Sequence, residues 1–478
     1  MKSYHSLSQV RSDIASGTLT CIDLVKGYLS NIEQANPELN ALTEVYDQEA
    51  LAQAAVVQEK INSSKAGRLA GMVITIKDVY CHDGHSLQCG SKILENFKSQ
   101  FTATSIQRLL DEDAIIIGRN NCDEFAMGSS NENSVFGPVK NAIGENKVPG
   151  GSSGGSAVAV QAEMCLVSIG SDTGGSVRQP ASYCGVIGFK PSYGRISRHG
   201  LTAYASSFDC VGVLAQSVDD TALVLEVMSG ADEYDHTVSH QRVPAYSKAP
   251  EWAEKFRVVS FDNINTHEAL APAVKKSVDQ VFAKIESSGN TIHKMNFEYL
   301  KYVLPTYYIL TTAEASANLS RFDGVRYGYR SEKAKDLDSM YKKTRTEGFG
   351  EEVIKRILLG TYVLSEGFYD AYYTKAQKVR RLIRDETKKL FADNDFIIMP
   401  TAPTPAFDLN SHDRDPIEMY LEDIFTVQAS LAGLPSISLP NGTDENGMPI
   451  GIQVIGNSFE EEKLLSFSKY LQDHILET

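Results

Sequence analysis

Between residues 20 and 32, TCIDLVKGYLSNI, apolar side chains fall at Cys21, Leu24, Val25, Tyr28, Leu29 and Ile32. Steps of three and four place them on one helical face, and Thr20 with Asp23 resembles a capping box in which Asp stands for Glu or Gln. The rhythm shortens at MVITIKDVY (72–80), a β-branched run that sets Val73, Thr75 and Lys77 on one side of a strand. DAIIIGRNN (113–121) predicts a second buried strand, ending at Gly118, and CLVSIGSD (165–172) a third. Between them a polar loop over 131–155 leads into a helix of small residues at SAVAVQAEM (156–164).

From about residue 215 to 395 the pattern is mostly helical. SVDDTALVLEVMSG, ALAPAVKKSVDQVFAKIESSG and YTKAQKVRRLIRDETKKLF are amphipathic, with FRVVSFD as a strand among them. FIIMPTAPTP (396–405) returns to buried strand and Pro-rich loop, and PSISLPNGTDENGMPIGIQVIG (435–456) reads as two strands joined by an Asn/Gly turn. Strands alternating with helices imply an α/β sheet covered on both faces. No Pro/Gly/Ser linker and no internal repeat divides the chain. It is expected to be one domain over 1–478, with a Ser/Gly-rich core at about 65–215, a helical insertion at about 215–395 and C-terminal strands from 396 to 478.

Composition narrows the function. The 478 residues carry 46 Lys and Arg against 61 Asp and Glu, a formal charge of −15. An acidic balance argues against this chain alone gripping nucleic acid, which needs a basic face. The N-terminus lacks the apolar core of a signal peptide, and no 18-residue stretch is free of strong polars, so a cytoplasmic protein is expected. Seven cysteines without a CxxC pair fit reduced thiols. CHDGHSLQC (81–89) matches no standard zinc spacing, so it reads as a polar loop and no metal is expected.

Two glycine–serine knots carry the candidate chemistry: GGSSGGS (150–156) and SDTGGS (171–176). GSSGG (151–155) matches the nucleophile-elbow string, but a loop precedes it where that motif requires a strand. No Lys-Ser/Thr follows the glycines, so it is no phosphate loop either. A serine needs a base, and of the ten histidines only His199 lies near a glycine-rich stretch, with nothing to pair it into a triad. Lys77, a lone cation in an apolar strand, has two readings. It forms an ion pair with the adjacent Asp78, or burial lowers its pKa towards about 7–8 and makes it a base. Gly174 and Gly175, just before Ser176, allow successive backbone N–H groups to converge on one point, as an oxyanion requires.

Together these segments resemble the amidase signature family, whose pattern joins a strand-borne Lys, a Gly-Gly-Ser-Ser-Gly-Gly-Ser loop and a D-T-G-G-S segment. The likeness spans nearly the whole chain, and the string from 150 to 191 is its most specific part. It implies the amidase-signature fold, a central mixed, largely parallel β-sheet covered by helices on both faces. It also implies a triad: Ser176 as nucleophile, Ser152 after a cis peptide bond as bridge, and Lys77 as base. The N–H groups of Thr173, Gly174, Gly175 and Ser176 would form the oxyanion hole. One departure stands at MVITIKDVY, where relatives more often carry Pro before the strand and Asn after Asp78.

DEFAMGSSNENS (123–134), SRFDGVRYGYR (320–330), EGFYDAYYTKAQKVR (366–380) and MYLEDIFTVQASLAGLPSISLP (419–440) look like the branch that feeds ammonia to tRNA-dependent amidotransferases. That likeness implies glutamine as substrate, held at its two ends by Arg356 and Asp423, with Tyr307 as a further contact. Taken alone, Arg356 could be a solvated helix charge and Asp423 a helix cap. The likeness further implies a heterotrimer with a tRNA-binding partner subunit (B), which acts on Glu-tRNA(Gln) with ATP and Mg²⁺, and a small strap subunit (C). No cofactor is implied in this chain. Two rival readings are a stand-alone amidase for small amides and a scaffold with a degenerate site.

Overall fold

The computed structural model describes residues 2–144, 146–411 and 421–477. His412 and the first two residues of the 419–440 string, Met419 and Tyr420, lie outside the described residues. Among the described residues eleven strands form one sheet. They are β1 (Leu42–Val45), β2 (Val73–Lys77), β3 (Ile115–Asn120), β4 (Val167–Asp172), β5 (Ile187–Lys190) and β6 (Cys210–Ala215), then β7 (Arg257–Phe261), β8 (Thr291–Met295), β9 (Phe396–Pro400), β10 (Ser436–Thr443) and β11 (Pro449–Ile455). Their spatial order is β1-β3-β2-β4-β6-β5-β10-β11-β9-β7-β8. Every residue of β2, β3, β4, β5, β6, β9 and β11 is buried. Because successive side chains face opposite sides of a sheet, burial of both sets means that both faces are covered.

The sheet is mixed, as the sequence implies. Parallel pairing is confined to two blocks, β3–β2–β4 and β9–β7–β8, and the rest of the ladder is antiparallel. The parallel share is thus smaller than expected, because a strand buried on both faces reads as the same apolar run in either direction. β3 runs past Gly118 to Asn120. Its Arg119 is buried there with partners of its own, donating to Tyr46 OH (3.1 Å), Tyr80 O (3.0 Å) and Asp78 Oδ1 (3.3 Å). β8 is not legible in the sequence: its side chains are mostly exposed, and Lys294 and His293 blunt the sheet edge.

The helices follow the apolar spacing. Cys21–Leu39 buries Cys21, Leu24, Val25, Tyr28 and Ile32, and its Thr20 cap accepts the Asp23 N–H at 3.1 Å. Gly154–Gln161, Val218–Met228, Pro272–Ser287 and Lys375–Lys389 form where the pattern places them. Two further helices, Leu300–Asn318 and Glu351–Val363, bear residues of the site and meet at Gly360. A Cβ on Gly360 would overlap the Thr312 carbonyl oxygen, so only glycine lets the two backbones approach this closely. Gly360→Ala should therefore destabilise the fold by about 1–3 kcal/mol. A lower denaturant midpoint at unchanged slope is the expected reading, and an unchanged midpoint would show that the crossing relaxes freely.

Candidate active site

β2 and β4 run parallel and side by side, with Ile76 opposite Ile169. Lys77 and Ser171 consequently stand at neighbouring carboxyl ends, where open α/β sheets place their ligand sites. Lys77 is completely buried, and its Nζ lies 2.7 Å from Ser152 Oγ and 3.0 Å from both Ser153 Oγ and Ser171 Oγ. Burial pushes its pKa down to about 8, against the opposing pull of Cys122, Asp123, Asp172 and Asp209. An amine that can shed its proton near neutral pH beside a hydroxyl is able to serve as a base.

The ion pair with Asp78 does not form. Adjacent strand residues point to opposite faces, and Asp78 instead meets the Arg119 guanidinium and accepts the N–H groups of Gln88 (3.1 Å) and Gly90 (3.0 Å).

Ser152 follows a cis Gly151–Ser152 peptide bond, in a loop that enters the helix Gly154–Gln161 without a preceding strand. Ser153, the middle residue of the elbow-like string, is fully buried and donates to Ser171 O at 3.1 Å. Ser176 precedes the short helix Arg178–Cys184 and keeps 8% of its surface exposed. Its carbonyl accepts the Ser153 N–H at 3.1 Å, but among the described residues its hydroxyl has no hydrogen-bond partner, Ser152 included. The structure therefore joins Lys77 to Ser152 directly and Ser176 only through the backbone next to Ser152.

The turn before Ser176 is fixed from several sides. Arg178 grips both oxygens of Asp172 at 2.9 Å and reaches Thr426 O (2.8 Å) and Gln453 Oε1 (2.6 Å). Thr173 Oγ1 donates to Asp209 at 2.7 Å, and Thr426 Oγ1 donates to Gly174 O at 2.5 Å. Gly175 has φ +149°, and a Cβ there would overlap Thr426. Among the described residues the N–H groups of Thr173, Gly174, Gly175 and Ser176 donate to no other group, which leaves them available to an oxyanion.

Tyr307, Arg356 and Asp423 come from three distant segments to the same place. A Cβ on Gly174 would overlap the Tyr307 ring, so that ring closes directly on the turn. Arg356 is 6% exposed, with Nε on Glu352 (2.8 Å) and Nη1 on Tyr204 OH (2.9 Å). Asp423 is 7% exposed and accepts Ser129 Oγ at 2.7 Å. Burial pushes Asp423 up to about 7, opposed by the Ser129 hydrogen bond and by the nearby Arg356 charge. Neither residue is a solvated surface charge. The remaining candidates fall elsewhere: His199 stacks between Phe101 and Tyr234, and His82 stacks on His85 with centroids 4.0 Å apart. Among the described residues no group of three or more His, Cys, Asp or Glu side chains is placed to hold a metal ion.

The amidase family model matches residues 23–465. The chain belongs to the amidase family. As an amidase it is 49% identical over 477 residues to the A subunit of glutamyl-tRNA(Gln) amidotransferase from Chlorobaculum tepidum, covering 98% of each chain. It is 45% identical to the protein of the same name from Coxiella burnetii, covering 98% of this chain and 97% of that one. The crystal structure of the A subunit of glutamyl-tRNA(Gln) amidotransferase from Thermotoga maritima superposes with a TM-score of 0.78 at 36% identity, over 95% of this chain and 94% of that one.

Several residues that build the amidase site carried no motif of their own. Ser129, Tyr204 and Thr426 are single polar residues whose contacts cross between segments far apart in the chain, and Ser171 opens the SDTGGS knot without a reading of its own. Asp172 and Arg178 left a fainter trace, two opposite charges flanking an otherwise small and neutral knot.

Proposed function

We propose that this chain is the glutamine-hydrolysing component of a glutamyl-tRNA(Gln) amidotransferase, with Ser176 as nucleophile, Ser152 as proton relay and Lys77 as base. The observation that carries the reading is the 2.7 Å contact between a fully buried Lys77 and Ser152, beside a Ser176 hydroxyl that has no hydrogen-bond partner among the described residues. Catalytic hydrogen bonds commonly tighten only with substrate in place, so the relay does not require the Ser152–Ser176 link to be closed beforehand.

In the proposed sequence Ser176 Oγ attacks the carboxamide carbon of glutamine. Its proton passes to Ser152 Oγ while the Ser152 proton passes to Lys77 Nζ. The N–H groups of 173–176 hold the oxyanion. The C–N bond then breaks as the proton returns through Ser152 to the leaving nitrogen, and ammonia departs. Water, deprotonated by the same relay, attacks the Ser176 ester and releases glutamate. The Arg356 guanidinium suits the α-carboxylate and Asp423 the α-ammonium, with Tyr307 closing the pocket over Gly174.

The ammonia passes to a partner subunit (B) that binds Glu-tRNA(Gln) and uses ATP and Mg²⁺, and a small third subunit (C) completes a heterotrimer in the cytoplasm. The support is the near-full-length similarity to subunits of that amidotransferase. The acidic charge of −15 also leaves tRNA binding to the partner. Among the described residues no helix is long and apolar enough to cross a membrane.

Co-expression with the partner subunits tests the assignment: glutamine-dependent amidation of Glu-tRNA(Gln) should require this chain, whereas added ammonia should bypass it. Glutamine-dependent amidation by the partners alone would refute the reading. A second test separates it from a stand-alone amidase. Arg356→Ala should raise KM for glutamine by about 10- to 100-fold, the value of a hydrogen-bonded charge. An unchanged KM would favour the stand-alone enzyme.

A further inference from the structure

Gln179 lies in the helix Arg178–Cys184, fully buried, and among the described residues hydrogen-bonds to neither Lys77 nor Ser176. Its side-chain amide spans two loops. Oε1 accepts the Gly151 N–H at 2.9 Å, immediately before Ser152, and Nε2 donates to Ser129 O at 2.9 Å. Ser129 in turn donates its hydroxyl to Asp423 at 2.7 Å. An unbroken chain of hydrogen bonds thus runs from the backbone that carries Ser152 to the carboxylate at the far end of the pocket.

A second clamp keeps the same two loops together. Asp123 accepts the N–H groups of Asn131 (3.0 Å) and Asn133 (3.1 Å), and its own N–H donates to Ser152 O at 3.2 Å. A Cβ on Gly151 would overlap Asp123, so Gly151 is wedged between Asp123 and Gln179 with no slack. The 129–133 segment and the 150–153 segment are therefore joined at two points, Gln179 and Asp123. Only one oxygen of Asp423 has a hydrogen-bond partner among the described residues. The other oxygen is open to a cation, which would then share one carboxylate with the Ser129 hydroxyl.

We propose that Gln179 is a positioning residue that ties the register of Ser152 to the arrival of the substrate's α-ammonium at Asp423. The inference rests on the glutamine reading above. In its terms, the open link between Ser152 and Ser176 closes when Asp423 is engaged, so an amide without an ammonium group is bound but turned over slowly.

The test compares glutamine with the monoamide of pentanedioic acid, which is glutamine without its amino group, in the complex of this chain with its co-expressed partners. The wild type should show a kcat for glutamine at least about tenfold above that for the monoamide, the weight of one charge-assisted hydrogen bond. In Gln179→Met that ratio should fall to within about threefold of unity, through loss of the glutamine kcat, while the monoamide kcat stays within about threefold of wild type. Ser129→Ala should do the same from the other end. The double variant should be no worse than either single one, because both cut one chain.

A kcat ratio that survives both substitutions, or effects that multiply in the double variant, would overturn the coupling and leave the glutamine assignment standing. Equal loss of both substrates' kcat in both single variants would reduce Gln179 to a structural role and overturn it as well. Hydrolysis of neither amide by the wild type would overturn the functional reading, and this inference with it.

Discussion

Ser176→Ala should lower kcat for glutamine hydrolysis on the order of 10⁵-fold, as loss of a nucleophile does in other acyl-transfer enzymes. The fold should survive. Ser176 is a small side chain, its hydroxyl has no partner among the described residues, and the carbonyl that Ser153 uses belongs to the backbone. The turn before it remains held by Asp172, Arg178 and Thr426. Ammonia-dependent amidation by the partner subunits should continue in this variant, which separates loss of chemistry from loss of assembly. Glutamine hydrolysis at more than about a hundredth of the wild-type rate would place the nucleophile elsewhere.

Lys77→Met should be about tenfold less damaging, and Lys77→Arg should not rescue it. Charged, an ammonium donates three hydrogen bonds, and Ser152, Ser153 and Ser171 surround Nζ as three acceptors. Neutral, it gains a lone pair, and one contact can reverse so that Ser152 donates to it. An arginine never offers that lone pair, since its guanidinium stays protonated. A loss in kcat on the order of 10⁴-fold with the KM for glutamine largely unchanged is expected. An arginine variant retaining more than a few per cent of activity would show that charge, and not proton transfer, is what the site needs.

The sequence carried the centre of this site better than its supports. Lys77, Ser152 and Ser176 lie in strings whose glycine spacing and isolated cation are readable one residue at a time. Period-two alternation even bears on the Asp78 alternative, because neighbours on a strand cannot share a face. Ser171 is a different case. Its contact with Lys77 exists only because β2 and β4 lie parallel and adjacent, a pairing that no local pattern encodes.

Arg356 alone likewise reads as a solvated helix charge and Asp423 as a helix cap, whereas Tyr204 and Ser129 hold them below the surface. At the level of the fold, buried strands were legible as apolar runs. Their directions were not, and β8 escaped because an exposed, charged edge has no apolar face to show.

The most direct measurement is the rate at which a fluorophosphonate modifies Ser176 as a function of pH. Such a reagent reports activation of the serine without involving the ammonium of glutamine. With Lys77 held at about 8 by burial, only its neutral form can accept a proton. The rate should rise about tenfold per pH unit below that value, level off above it, and lose this dependence in Lys77→Met. Modification at a residue other than Ser176, or a pH profile identical in the wild type and Lys77→Met, would contradict the account.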